Sequence, residues 1–233
     1  DNIPKLPKGI RILKVYNRPE FLEEFTLLKN YDAFITNSEK VFKFLNKYKP
    51  TLLLHSAVSR NFHRTKMEKK YKSDVVYLGN GGLGHKRPQT FYKYLNPAKK
   101  FDFAIWGDYW DWDNIYPEGY KGRLDSNDWL KFYRGRLYLG DIPKLYSSSK
   151  IVLGVHEDGQ REWGMWNNRV FEALGSEAFF ISDRAIGLER EFKGCMVFTN
   201  GGKETEELIR YYLKHHSERR KVARRGYELV MKK

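Results

Sequence analysis

Cysteine occurs once in the 233 residues, at Cys195. A single thiol excludes an intrachain disulfide and any cysteine-based metal set. It points to a reducing, cytoplasmic setting. Long apolar runs are also lacking, and nothing approaches the roughly 18 residues that cross a bilayer. No stretch near the start has the charged, apolar and small-residue order of a secretory signal. The chain begins at Asp1 rather than Met, which points to a natural N-terminus further upstream. Internal repeats and low-complexity segments are absent, so a repeat array is excluded. Acidic residues are in deficit: 29 Asp and Glu face 43 Lys and Arg, a formal charge of +14. Such an excess suits an anionic partner: a nucleotide, a nucleic acid, an acidic polymer or a membrane face. The last twenty positions, 214–233, carry eight basic and two acidic side chains, a net of +6. The plainer reading of that run is a solvated helix face.

What is present fits a packed α/β protein. Hydrophobic residues make up 41% and aromatics 16%, enough for a core, and the length suits one large domain or two smaller ones. Strands are expected at 10–16, 33–36, 51–54, 74–78, 101–106, 137–139, 151–155, 178–182 and 196–199. They are short, apolar on both faces and bounded by Gly, Asn or Asp, as in buried parallel sheets. Helical patterns alternate with them. Ser38 can cap a helix burying Val41, Phe42, Leu45 and Tyr48. Glu204, Glu206 and Glu207 suit the first turn of another, burying Leu208, Ile209, Tyr212 and Leu213. Ser217 can cap a last helix with Val222, Ala223, Leu229 and Val230 inward.

The alternation implies two Rossmann-like units with parallel sheets, the N-terminal one incomplete. The polar, basic stretch 60–73 reads as a linker. The expected divisions are 1–68 (the later part of an acceptor-side domain), 69–215 (a complete nucleotide-binding domain) and 216–233 (a basic helix crossing back to the first).

The stretch "DVVYLGNGGLGHKRP", 74–88, takes a strand into a glycine-rich turn, and Pro88 can open a helix. Gly79, Gly81 and Gly84 spell G-x-G-x-x-G, and Asp108 follows the next strand where a ribose-binding acid would stand. Three readings stay open: a turn that captures phosphate with backbone N–H groups plus Lys86 and Arg87, a plain tight turn, or an NAD(P) site. In "WGDYWDWD", Asp111 and Asp113 could hold a divalent cation bridging a diphosphate. Acids so spaced are common in surface loops, and no metal is expected.

The stretch "NNRVFEALGSEAFFISD", 167–183, raises the sharpest question. A helix starting at Asn167 or Asn168 would present free N–H groups and a positive dipole, which favour a phosphate. Arg169 adds a fixed cationic fork. Glu172 shares the face of Asn168 and Arg169, and its acceptor-only carboxylate can take both hydroxyls of a ribose. The alternative is an Arg169–Glu172 ion pair that merely ties the helix down.

With "GLEREF" and "MVFTNGGKETEELIRYYLKHHSERRKVARRGYELV" behind it, this stretch resembles the C-terminal half of GT-B glycosyltransferases. It is most similar to the group with CgeB-like (spore maturation) and glycosyl-transferase-family-1-like domains. "YDAFITNS", "VVYLGN…KR", "FAIWGDYW" and "LYLGDIPKLYSSSKIVLGVH" extend the resemblance over about residues 31–231. It implies a glycosyltransferase that moves a sugar from a nucleoside-diphosphate sugar to an acceptor hydroxyl, without a cofactor. UDP- and GDP-sugars are the expected donors. By the same resemblance Glu172 would bind the ribose, and Arg169, Arg87 and Lys86 the diphosphate. The backbone around Leu139, Gly140 and Asp141 would meet the base, Asn168 and the loop near Gly164 would line the sugar side, and Gly79 belongs to the donor loop.

The sequence departs from the family in three ways. Glu177 stands where many relatives have Gly. Gly164 stands where many carry a glutamate, the nearest acid being Glu162. The first half of the N-terminal domain is missing. His55 and His156 fall at strand ends, as base candidates or as packing residues, and no base is assigned. Two rival functions remain: a non-catalytic binding module for an acidic polymer, and an NAD(P)-dependent oxidoreductase. Nucleic acid has no reading motif here. The basic C-terminal helix is the element that would touch a membrane surface.

Overall fold

The structure is a computed structural model that describes residues 9, 11–15, 29–81, 87–108 and 129–232. Two parallel sheets organise it. In the first, β1 (Ile12–Val15), β2 (Ala33–Thr36) and β3 (Thr51–Leu53) lie in that order, Ile12 beside Ala33 and Phe34 beside Thr51. Between β2 and β3 runs α1 (Glu39–Leu45), which begins where expected, because the Ser38 hydroxyl accepts the Val41 N–H. Val41 and Leu45 are buried with Phe34, whereas Tyr48 is exposed. Tyr48 follows the helix's C-cap, Asn46, so the helical spacing no longer carries it inward.

The second sheet has five strands. In chain order its elements are β4 (Ser73–Leu78), α2 (Arg87–Tyr94), β5 (Phe103–Trp106), α3 (Ile142–Ser148), β6 (Ser149–Gly154), α4 (Asp158–Trp163), α5 (Asn168–Gly175), β7 (Phe180–Asp183), α6 (Leu188–Glu191), β8 (Val197–Thr199), α7 (Lys203–Lys214) and α8 (His216–Met231). The strand order is β5-β4-β6-β7-β8, all parallel. This is a doubly wound order, with its switch point between β4 and β6. Both faces are covered. Val76, Leu78 and Val152 pack into one apolar cluster, and Val75, Tyr77 and Leu153 into the other. The alternation along β4 and β6 explains why these strands read as continuous apolar runs.

Two expectations change, and two further segments are seen in contact with the second unit. Residues 137–139 form no strand: the outer edge of β5 is already bridged by Tyr133, and Tyr138 and Leu139 are exposed. Leu139–Asp141 is instead a 3-10 turn leading into α3. The last helix is capped at His215 rather than Ser217, because α7 and α8 are separated by that one residue. The stretch read as a linker, 60–73, is docked on α3. The N–H groups of Thr65 and Glu68 each donate to a serine hydroxyl of α3, Ser147 and Ser148, at 2.9 Å. The basic helix α8 lies along α5, where Gly226 permits contact with the Cys195 carbonyl and Leu174.

Glu177 is, among the described residues, the one non-glycine with a positive φ, +54°. This accounts for the glycine usual there, since a side chain in the left-handed region costs about 1–2 kcal/mol. Glu177 lies 3.9 Å from Arg64 and 4.0 Å from Arg224, long and part-exposed pairs worth roughly 0–1 kcal/mol. Relief of strain exceeds their loss, so Glu177→Gly is expected to raise the Tm by about 1–2 °C. A thermal melt checks this, and a fall in Tm would show the two arginine contacts to outweigh the strain.

Candidate functional site

The C-terminal ends of β4 and β5 open into a cavity of about 660 Å³. Its floor is Leu78, Gly79 and Gly107, one wall is the start of α5, and the facing wall comes from the first sheet through Asn37 and Ser56. The site therefore sits at the switch point and between the two units, where α/β folds bind ligands.

Several contacts lock the units together around it. Ser56 Oγ donates to Asn168 Oδ1 at 2.7 Å. His55 stacks on Trp166 with ring centroids 3.7 Å apart and planes 7° from parallel, so this strand-end histidine joins the two units by stacking. The Trp166 indole N–H is held by the Ile186 carbonyl at 3.0 Å. Glu39 accepts from Arg190 at 2.6 Å.

Asn167 caps α5 by position, without a side-chain bond to the helix backbone. Arg169 does not pair with Glu172, which excludes the simple tie. Its Nη1 donates instead to the Tyr77 hydroxyl at 3.0 Å and the Leu78 carbonyl at 2.9 Å. This crossing depends on Gly79: a Cβ there would lie 2.3 Å from Arg169 Nη1 and 2.6 Å from the Tyr77 hydroxyl. Gly107, at φ +135°, lets the end of β5 come equally close, since a Cβ there would meet the Gly79 carbonyl oxygen at 2.2 Å. The guanidinium thus fills the space over the first glycine of the G-x-G-x-x-G pattern.

Glu172 is half-buried, and its carboxylate accepts no hydrogen bond from any described residue; the charge that acts on it is Arg169. Burial pushes the carboxyl above the usual range, and Arg169 pulls it part of the way back. Buried nearby, the Tyr146 hydroxyl makes no hydrogen bond among the described residues, and burial drives its pKa up, with Glu172 adding to the effect. Two more buried acceptors, Asn37 Oδ1 and Asn167 Oδ1, lack partners among the described residues, and both residues line the cavity. A carboxylate and two amide oxygens without donors, beside a fixed guanidinium and a helix N-terminus, call for a ligand with hydroxyls at one end and negative charge at the other.

The raised pKa of Glu172 has a signed consequence. Its ionised form is penalised in the folded state, so its favourable contribution is present below the unfolded glutamate value, about 4.3. That contribution is lost as pH rises through the higher folded value. At neutral pH the residue opposes folding. Glu172→Gln is expected to raise the Tm of the ligand-free protein at pH ~7 and to flatten its pH dependence above ~4.3. Melts across that range would reject this if wild type and variant kept a constant difference.

The sequence-derived residues fall into three groups. Gly79, Asn168, Arg169 and Glu172 line one cavity. Gly140 is exposed in the 3-10 turn before α3, and Gly164 is the left-handed C-cap of α4, packed on Ile186; neither lines it. Arg87 opens α2, but its side chain, Lys86, Gly84, Asp111 and Asp113 lie outside the described residues. Asp108 lines the cavity rim and pairs with Arg136 at 3.1 Å. Sequence reasoning missed Asn37, Ser56 and Tyr77 as polar contributors, and took Asn167 only as a start of the helix. Asn37 and Tyr77 stand at strand C-terminal ends, the one signal that could have marked them.

A buried polar network adjoins the site. His156 Nδ1 lies 2.6 Å from Asp183 Oδ1, and Arg161 donates to both the His156 carbonyl and Asp183. The histidine and arginine hold Asp183 below the usual carboxylate range despite its burial.

A family profile described as "Glycosyl transferase-like" matches residues 87–233. No curated protein matches the chain by sequence. Among solved structures, Anabaena HepE (Alr3699) in complex with UDP and glucose is similar with TM-score 0.66 and 13% identity, covering 95% of this chain and 66% of that one. Sucrose-phosphate synthase from Thermosynechococcus elongatus follows with TM-score 0.63 and 13% identity, over 91% and 56% of the two chains. The β-glucosyltransferase of phage T4 gives TM-score 0.58 and 12% identity, over 86% and 60%. The chain therefore has the α/β architecture of GT-B structures and spans two thirds or less of each of these three relatives.

Proposed function

We propose, from the premise that this chain belongs to the glycosyl transferase-like family, that it binds a nucleoside-diphosphate sugar in the cavity at the start of α5 and transfers the sugar to an acceptor hydroxyl. One observation carries the reading: the half-buried Glu172 carboxylate, without a hydrogen-bond donor, faces a cavity that Arg169 also lines. Glu172 accepts the two ribose hydroxyls. Arg169 and the free N–H groups of α5 take the diphosphate. Asn37 and Asn167 supply acceptors for sugar hydroxyls. UDP and GDP are the favoured nucleotides, and the HepE complex with UDP and glucose, on the same fold, supports the choice.

The reaction breaks the anomeric C–O bond to the diphosphate and forms one to the acceptor oxygen, whose proton leaves to a base. Negative charge grows on the departing diphosphate, where Arg169 and the helix terminus are already aimed, so they stabilise it without reorganising. Arg87, which opens α2, and Lys86 before it in the sequence are proposed to contribute to the same stabilisation.

The test is a thermal-shift series with UDP, GDP, ADP, CDP, NAD⁺ and NADP⁺ on wild type and Glu172→Ala. A ligand at ~100 times its Kd adds roughly 2.7 kcal/mol. A shift with one nucleoside diphosphate, lost in the variant, is the expected result. A shift with NAD(P) alone would sink the reading in favour of an oxidoreductase. No shift with any nucleotide would leave a non-catalytic binding module.

A further inference from the structure

The opposite end of the central strands of the five-stranded sheet holds a second cavity of about 410 Å³. It lies where β4, β6 and β7 begin, at the far end of α5 from Glu172. Its charge is one-sided: Arg64, Lys72, Lys150, Arg219 and Arg220 line it, against the single acid Glu177. Lys150 is neutralised by Asp74 at 2.6 Å and Arg64 reaches Glu177 at 3.9 Å. Lys72 and Arg220 have no ion pair among the described residues.

The arrangement runs against local electrostatics. Arg219 and Arg220 stand in the first turns of α8, where the helix dipole is positive and cations are disfavoured. Arg219 is half-buried, and burial, reinforced by Arg220, holds it below its ordinary range despite Asp74. Of the lining serines, Ser73 and Ser149 bond to each other, Ser149 donates to Leu145 and Ser176 donates to the Glu172 carbonyl, which leaves Ser147 and Ser148 as donors. Ser147 and Ser148 use their oxygens to accept the Thr65 and Glu68 N–H groups, and neither hydroxyl proton has an acceptor among the described residues. Met67 and Phe179 supply apolar wall. Lys72 and Arg220 without ion pairs, the half-buried Arg219 beside them and the two serine hydroxyl protons fit a ligand of acceptor-only oxygens with several charges, which is the chemistry of phosphate groups. The cations surround a concavity of ligand size rather than a flat face, so a compact soluble molecule fits better than a bilayer.

We propose that this cavity, formed by the 64–72 segment, the starts of β4, β6 and β7, and the start of α8, is a binding site for a soluble polyphosphorylated small molecule, separate from the donor cavity. Tripolyphosphate is a direct probe, measured by calorimetry on wild type, Lys72→Ala/Arg220→Ala and Arg169→Ala. Both residues of the double variant are exposed, so it should fold. Saturable binding, weakened tenfold or more in the double variant and unchanged in Arg169→Ala, is the expected result. Loss of binding in Arg169→Ala with retention in the double variant would place the anion in the donor cavity and overturn the proposal. So would an equal effect of potassium chloride at matched ionic strength, or cosedimentation with phosphatidylglycerol vesicles without tripolyphosphate binding.

Discussion

Arg169→Ala is expected to weaken binding of the stabilising nucleoside diphosphate about 100-fold, and Arg169→Lys to fare little better. A hydrogen bond to a charged group contributes about 1.5–3 kcal/mol, and each 1.4 kcal/mol is roughly tenfold in Kd. Loss of one such bond to the diphosphate, at about 2.8 kcal/mol, gives the stated effect. Lysine fails for a geometric reason. One nitrogen of the guanidinium is spent on the Tyr77 hydroxyl and the Leu78 carbonyl, and the rest of the planar fork is left for the ligand. A single ammonium cannot occupy both positions. Tyr77→Phe removes one anchor while leaving the charge, so a loss of about tenfold or less is expected. Calorimetric titration of the three variants would separate the effects. Wild-type affinity in Arg169→Lys would show that only charge matters there and would remove the fork from the account.

Gly154→Ala is expected to be the most destabilising single methyl in the five-stranded sheet. Gly154 ends β6, and a Cβ there would lie 2.1 Å from Phe180 Cζ and 2.7 Å from Cε1. Phe180 is fully buried between the neighbouring strand and α5, so the ring has little room to yield. Overpacking of this kind costs typically 1–3 kcal/mol, sometimes more, and a value near ~3 kcal/mol lowers the Tm by roughly 6–12 °C at this chain length. A second substitution makes the cause testable. Phe180→Leu alone opens a cavity and destabilises, but combined with Gly154→Ala it should be less harmful than the sum. Strict additivity in a double-mutant cycle of melts would mean that the ring and the glycine do not oppose each other.

Much of the fold was legible because it depends on short-range pattern. The strand at 33–36 and the Ser38 cap three residues before Val41 came through unchanged, since both follow from side-chain periodicity and one local hydrogen bond. The strand expected at 137–139 failed because a strand needs a free sheet edge, and Tyr133 occupies the one beside β5. Ser217 failed as a cap because the turn between α7 and α8 is a single residue, a matter of how the two helices pack. The site divided in the same way. Asn168, Arg169 and Glu172 were placed on one helix face by spacing alone. Gly140 and Gly164, carried over by resemblance, are not among the residues that line this cavity.

By itself the sequence determined the parallel α/β class, the helix that carries Glu172, and the excess of cations, because periodicity, capping chemistry and charge are properties of neighbouring residues. Only the tertiary structure decided that Arg169 turns to Tyr77 and Leu78 rather than to Glu172. That choice rests on Gly79, ninety positions earlier in the chain, leaving room for a guanidinium. It also decided that Asn37 and Ser56 face α5 across a cavity, and that five cations scattered from Arg64 to Arg220 surround another. Those are distances between segments far apart in sequence, and no local pattern encodes them.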